Sequence, residues 1–377
     1  MATKYELSLS SDYVPNWTLV DAVREFFQNA LDQQTTQEDN EMFFHYDGVH
    51  MLQIGNKSSV LSAKTLLLGT STKRNETNTI GQFGEGYKVA TLVALRAGKQ
   101  IIFYNYGKKE TWKPRMVKSR KYEGAEVLTF VVDKVFWKRP PNNNLIIIID
   151  DITPEEWEEI VESNLHCQNI EDMGEIIQTP KGRILLDDKY KGRMYVNGLF
   201  VCPTKYIHGY DFLPQYLKLD RDRKLVSDWD LQWLASQMWA SSGSNKIAEL
   251  ARQNAPDVAH IQYQTITSLT PTSTAYVDFR EQYGENAVPV TDQSGVDETK
   301  RNSSKAVPII VSNSSKHLIT SCPEYQDPPK EVSENITPMG KLLNWFESIK
   351  DNLDTYQKDE FHQIFHEIEE ENYGKEV

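Results

Sequence analysis

At 377 residues, with 41 Lys and Arg against 54 Asp and Glu, the chain is long enough for two domains with their own cores and carries a net charge of −13. That balance argues against a protein that coats nucleic acid, and the lack of any run of ~18 apolar residues or of an apolar N-terminal signal core predicts a soluble, unsecreted chain without a membrane partner. Cys167, Cys202 and Cys322 are scattered without metal spacing, which predicts a reducing, cytoplasmic setting.

The first informative element is a helix through Arg24-Glu25-Phe26-Phe27-Gln28-Asn29-Ala30-Leu31-Asp32. Glu25, Asn29 and Asp32 are spaced i, i+4, i+7, which at about 100° per residue places them in one narrow arc, with Leu19, Val23, Phe27 and Ala30 opposite. The amide oxygen of Asn29 can ligate Mg²⁺, a cation that prefers oxygen donors, and Glu25 one turn away can accept a proton from an attacking water. A hairpin follows from Met42 to Ile54, then Gly55-Asn56-Lys57-Ser58-Ser59-Val60 and a helix entry at Ser62.

Next comes the glycine segment Ile80-Gly81-Gln82-Phe83-Gly84-Glu85-Gly86-Tyr87-Lys88. Gly81, Gly84 and Gly86 let a backbone turn approach phosphate oxygens, and the apolar run after Lys88 reads as a helix whose N-terminus faces the anion. Either segment alone fits a blander account, a solvated amphipathic helix or a plain loop. Their occurrence together, in this order, points to a nucleotide site.

Further on, Lys108, Lys109, Lys113, Arg115, Lys118, Arg120 and Lys121 cluster with only Glu110 opposing them. They read as the solvated side of a β-hairpin, with a phosphate-contacting patch as the minority alternative. Leu145 to Asp150 is a buried strand that closes a domain over residues 1–150, and Thr153-Pro154-Glu155-Glu156 caps the next helix. Residues 151–264 form a second, mixed domain with strands at 183–186 and 192–201. It ends in a helix with Leu231, Leu234 and Met238 in register and Trp229 and Trp233 read as core. Residues 265–337, rich in Ser, Thr, Pro, Asn and Gln, read as a linker, and residues 338–377 as acidic helices that fold back or bind a partner.

The acidic helix and the glycine segment together resemble the N-box and glycine-rich lid of the GHKL ATPases. That superfamily includes gyrase B subunits, MutL-type repair proteins, sensor histidine kinases and the ninety-kilodalton heat-shock chaperones, and Ile80 to Lys88 is closest in form to the chaperone version. The resemblance implies an α/β (α+β) fold of Bergerat type, helices over a mixed sheet, followed by a smaller middle-like domain. It implies Mg²⁺-dependent ATP hydrolysis with Glu25 as base and Asn29 as metal ligand. Asp32, Asn56, Thr72, Lys73, Gly81, Gln82, Phe83, Gly84, Gly86 and Lys88 would join Asn29 around the nucleotide, and Asn78 and Thr79 would belong to the lid. In Tyr210 to Lys224, Arg221 matches the residue that reaches the γ-phosphate in the chaperone middle domain.

Two positions depart from the family at the base. Asn56 stands where an Asp usually accepts from the adenine amino group, with Ser58 and Val60 where glycines are usual, and Ala125 aligns with the Thr of the family's Gly-Thr-x-hydrophobic strand. Family members close the lid and dimerise, so the resemblance implies a clamp or switch on a protein or nucleic-acid client, with nucleotide-dependent homodimerisation. A nucleotide-gated binding module with little turnover is the alternative.

Overall fold

A computed structural model of the chain describes residues 2–36, 39–67, 86–136, 142–217, 227–328 and 338–373. The fold is α+β. Seven strands, β1 (Thr3–Ser10), β2 (Met42–Tyr46), β3 (Leu52–Asn56), β4 (Gln100–Asn105), β5 (Glu110–Lys118), β6 (Glu126–Lys134) and β7 (Leu145–Asp150), form one sheet in the order β1-β6-β5-β4-β7-β3-β2. Every neighbouring pair in this sheet is antiparallel, which corrects the mixed sheet expected from the sequence. Hairpins join β2 to β3, β4 to β5 and β5 to β6, and such connections reverse the chain.

Helices α1 (Leu19–Thr36), α2 (Gly86–Arg96) and α3 (Pro154–Ser163) contribute to the core of this sheet. Alternation along β5 shows how the side is chosen: Trp112 and Pro114 are buried, whereas Lys113 and Arg115 face solvent. Phe26 on α1 meets Phe103 on β4 edge-on at 6.3 Å, Phe103 meets Phe130 on β6 at 5.8 Å, and Phe130 meets Trp112 at 6.0 Å. Burying each ring stabilises the layer pairing by roughly 2 to 3 kcal/mol, and truncating one to Ala would cost about 3 to 5 kcal/mol. β7 lies between β3 and β4, so its Ile run is flanked on both edges.

Local signals start the helices. Thr18 and Asp21 cap α1 reciprocally, with Thr18 N donating to Asp21 Oδ2 at 2.9 Å and Asp21 N to Thr18 Oγ1 at 3.4 Å. The box predicted for α3 forms in the same way between Thr153 and Glu156, with Pro154 in the first turn.

A second sheet, β8 (Ile176–Thr179), β9 (Gly182–Leu185), β10 (Arg193–Val196), β11 (Leu199–Pro203) and β12 (Gly209–Phe212), has the order β11-β10-β12-β9-β8. It is the mixed one, because β10 and β12 run parallel. The stretch read as one strand over residues 192–201 is a hairpin: Asn197 and Gly198 take positive φ values of 49° and 76° and turn β10 into β11. Next along the chain come α4 (Asp228–Ser242), α5 (Lys246–Arg252), α6 (Leu269–Tyr283), β13 (Ala287–Val290), α7 (Gln293–Asn302), β14 (Val307–Ile310), α8 (Asn313–Thr320), α9 (Pro338–Ile349) and α10 (Thr355–Tyr373).

Met1–Val277 with Ser312–Cys322 form one compact unit and Asp278–Val311 with Pro323–Val377 another. In the first, the core of the seven-stranded sheet reaches Ile160 on α3 and Leu199 on β11, so the segments expected as two domains share apolar packing. In the second, β13 and β14 pair in parallel around α7, and Phe346 of α9 stacks on Phe361 of α10 at 3.8 Å. Much of the stretch read as a linker is therefore built into helices and a strand pair. Its small residues pack where a hydropathy count gives no signal, as Thr272, Ala275 and Ala287 do. On α4 the expected tryptophans are displaced as well: Trp239 is fully buried, while Trp229 is 55% exposed and stacks on Trp233.

Candidate functional site

The arc predicted on α1 exists, and it is shut away from bulk water. Glu25 is 0% exposed, Gln28 and Asp32 are each 2% exposed, and Asn29 is half-buried, so a stripe of polar side chains lies inside the protein rather than on a solvated face. Burying a carboxylate costs several kcal/mol unless its charge is compensated, so such a stripe needs partners inside the protein. Asn29 Nδ2 donates to the Glu25 carbonyl at 2.7 Å. That bond commits the nitrogen end of the amide to the helix and makes the oxygen the donor end for a cation.

Beside Glu25 sits a residue the sequence reading passed over. Arg24 is buried over the Trp17 ring, with Nη2 3.7 Å from Glu25 Oε1 and Nη1 3.3 Å from Asp21 Oδ1. Its Nε and Nη2 have no hydrogen-bond partner among the described residues, so the guanidinium balances buried negative charge while keeping two donors uncommitted. The only signal for it was its place next to Glu25.

Asn56 ends β3 next to this helix. Its Nδ2 donates to the carbonyls of Ala30 at 2.8 Å and Asn40 at 3.0 Å, which ties the strand to the C-terminal half of α1 and leaves Oδ1 as the atom for a ligand. Just beyond, Ser58 has φ +50°, a left-handed conformation at the position where the family uses glycine. Asn105, fully buried on β4, holds the continuing loop, with Nδ2 donating to Leu61 O at 2.8 Å.

The strand beside Asn56 is β7 and not β6. Asn56 is paired with Leu145, whereas Ala125 precedes β6, which is separated from β3 by β5, β4 and β7. The expectation that Ala125 lies next to the base-reading residue is therefore corrected. Strand adjacency across a sheet is a long-range property, and a motif match between consecutive segments does not carry it. The residues that enter the neighbouring strand are Asn142, Asn143 and Asn144.

Lys88, expected around the nucleotide, binds main-chain carbonyls. It lies in the first turn of α2, is 0% exposed, and donates Nζ hydrogens to the carbonyls of Thr65 at 3.0 Å and Leu67 at 2.7 Å. Tyr87, beside it, bonds Thr65 Oγ1 at 2.9 Å, and burial pushes its phenol up from the ordinary value. Both residues pin the segment leading toward the glycine motif. Gly86 is the first described residue of α2, while Thr72, Lys73, Asn78, Thr79, Gly81, Gln82, Phe83, Gly84 and Arg221 lie outside the described residues.

At the other end of α2, Arg96 binds four carbonyls of the segment that leads into α1: Ser11, Tyr13, Val14 and Trp17, at 2.9 to 3.1 Å. Val14 in that segment has φ +47°, a strained value for a β-branched residue.

No protein-family model and no curated protein matches the chain. Its function is therefore argued from the site itself.

Proposed function

We propose that this protein binds and hydrolyses a nucleoside triphosphate with Mg²⁺, using a Bergerat-type site of the GHKL kind. The observation that carries the reading is the fully buried Glu25 held one turn from Asn29, whose amide is bonded so that its oxygen is the ligand end. Glu25 would take the proton of the attacking water, and Asn29 would supply one oxygen to the cation. The described residues hold no group of three or more His, Cys, Asp or Glu that could cage a metal. The remaining Mg²⁺ positions then fall to phosphate oxygens and water, as that cation prefers, and the bound ion would draw charge from the phosphate oxygens.

Two further features support the resemblance. Ser58 adopts a positive φ, the conformation that glycine takes most readily, and β7, which pairs with the Asn56 end of β3, would serve as the family's Thr-bearing strand. In the Gly-Thr-x-hydrophobic pattern, Leu145 is the hydrophobic residue and Asn143 takes the place of Thr. Base recognition would then rest on two neutral amides, Asn56 and Asn143, which present acceptors and donors without charge and so loosen the preference for adenine. Arg221 would reach the terminal phosphate as charge develops there. ATP is the reference substrate, and the output is a clamp or switch on a macromolecule, with dimerisation on closure.

A nucleotide-gated module with little turnover is the second reading, favoured by the uncharged Asn56. Steady-state hydrolysis by the wild type and by Glu25→Gln separates the two. The hydrolase reading expects Mg²⁺-dependent turnover that falls on the order of 10²-fold in the variant while nucleotide affinity holds. Turnover that is equal in both proteins would remove it.

A further inference from the structure

The basic cluster between β4 and β6 has no role in the nucleotide site, and its placement is specific. Lys108 and Lys109 lie in the β4–β5 turn, Lys113, Arg115 and Lys118 on β5, and Arg120 and Lys121 in the loop to β6. All seven side chains are exposed, and none has an ion-pair partner among the described residues, although acidic residues dominate the chain. Lys113 and Arg115 share the sheet face opposite the core, roughly 7 Å apart along the strand. Lys4 on β1 joins them through the register Lys4↔Val131↔Lys113.

Anions on or near this face are few and separated. Glu6, in register with Thr129 and through it with Arg115, accepts from Ser119 Oγ at 2.7 Å, Asp133 lies opposite Thr111, Glu126 lies opposite Lys118, and Glu123 lies in the β5–β6 loop. Aromatic rings mark both ends of the stripe. Tyr104 and Tyr106 stack at 5.9 Å next to Lys108, and Lys121 Nζ sits 5.2 Å over the Tyr122 ring.

We propose that this face, centred on Lys113 and Arg115, binds the phosphodiester backbone of nucleic acid. Lys113 and Arg115 lie between the turn that carries Lys108 and Lys109 and the loop that carries Arg120 and Lys121, at the two ends of a nine-residue strand about 30 Å long, so these cations form a line that matches a linear polyanion, while Lys118 lies on the other side of the pleat in register with Glu126. Lys and Arg side chains that neutralise phosphates release the cations condensed on the nucleic acid, and that release drives the binding without sequence preference. The contact supplies a client for the proposed clamp, yet it does not rest on nucleotide hydrolysis and is measured in its absence.

The test is fluorescence anisotropy of labelled duplex DNA with the full-length, nucleotide-free protein across a salt series. Binding is expected to weaken steeply with salt and to be alike for unrelated sequences. Lys113→Ala with Arg115→Ala should reduce the slope of log K against log salt by about 2, and weaken binding at ~0.1 M salt by close to ten-fold per cation. Arg120→Ala with Lys121→Ala, in a loop where folding is not at risk, should act in the same direction. Lys341→Ala with Lys358→Ala, on the C-terminal helices, should change nothing. An unaltered slope in both cluster variants overturns the proposal. So does retention of anionic lipid vesicles or an acidic protein through Lys113 and Arg115 when duplex and single-stranded DNA are not bound.

Discussion

The side-chain amide of Asn56 is bonded to the main-chain carbonyl of Ala30, 2.8 Å away, and so couples the end of β3 to the helix that carries Glu25 and Asn29. An Asp at this position, as in the GHKL pattern that the sequence resembles, would therefore not by itself make the proposed site. Asn56→Asp replaces the donor nitrogen with a carboxylate oxygen facing the carbonyls of Ala30 and Asn40. The expected result is a loss of about 1 to 3 kcal/mol in urea unfolding, with no gain in affinity for adenine nucleotides over others. A variant as stable as wild type would show that the two bonds do not hold the strand.

Asn29 separates metal binding from folding. Asn29→Ala should weaken nucleotide binding in Mg²⁺ and leave the affinity in chelator unchanged, as titration calorimetry under both conditions would show. Asn29→Asp keeps an oxygen donor but loses the bond to the Glu25 carbonyl, so it should recover part of the Mg²⁺-dependent affinity. Equal losses with and without Mg²⁺ would place the effect in the helix and not in the cation.

Lys88 is expected to act as a clamp. Lys88→Met fills similar space but leaves the Thr65 and Leu67 carbonyls without the ammonium, a change worth roughly 1 to 3 kcal/mol in a buried setting. Hydrogen exchange should quicken over residues 63–67 while strands β4 and β7 stay protected. If exchange there is unchanged and only nucleotide affinity falls, the ammonium serves the ligand and not the backbone.

Asp47 gives a pH signature. In the turn between β2 and β3 its Oδ1 accepts from the backbone N–H groups of Val49 and His50 at 2.8 Å and Met51 at 3.0 Å, and the Met51 and His50 bonds are the main causes that lower its carboxyl to about 2. A folded value below the unfolded one near 4 means the contribution is complete above about pH 4 and is lost as pH falls through about 2. Asp47→Ala should therefore lower Tm at neutral pH, and the gap to wild type should close between those limits. A gap that stays constant down to pH 2 would assign the loss to something other than the charge.

Legibility in the sequence followed the range of the interactions. The α1 arc, the α3 cap and the β2–β3 hairpin are written in neighbouring residues, and periodicity or capping chemistry reveals them. Placing Leu145 of β7 rather than β6 beside Asn56 depends on β7 inserting between β3 and β4, which no local pattern encodes. Trp229 and Trp233 share helical spacing with buried residues, yet period alone does not say which arc of α4 meets the protein. The bonds from Lys88 to the carbonyls of Thr65 and Leu67 span more than twenty residues, and the glycines before Lys88 carry no sign of them.

The pairing of β1 with β6, Thr3 opposite Val132, sets an order of events during synthesis. β1 is made more than a hundred residues before β6, the strand it pairs with, and closing a loop of that length is slow. Arg96 can gather the carbonyls of Ser11 to Trp17 before then, once α2 has formed, and so hold β1 near α1 while its edge waits. Slow passage through codons for residues 97–134 would prolong the interval in which β1 is open to pairing with other chains, and loss of Arg96 would lengthen its reach.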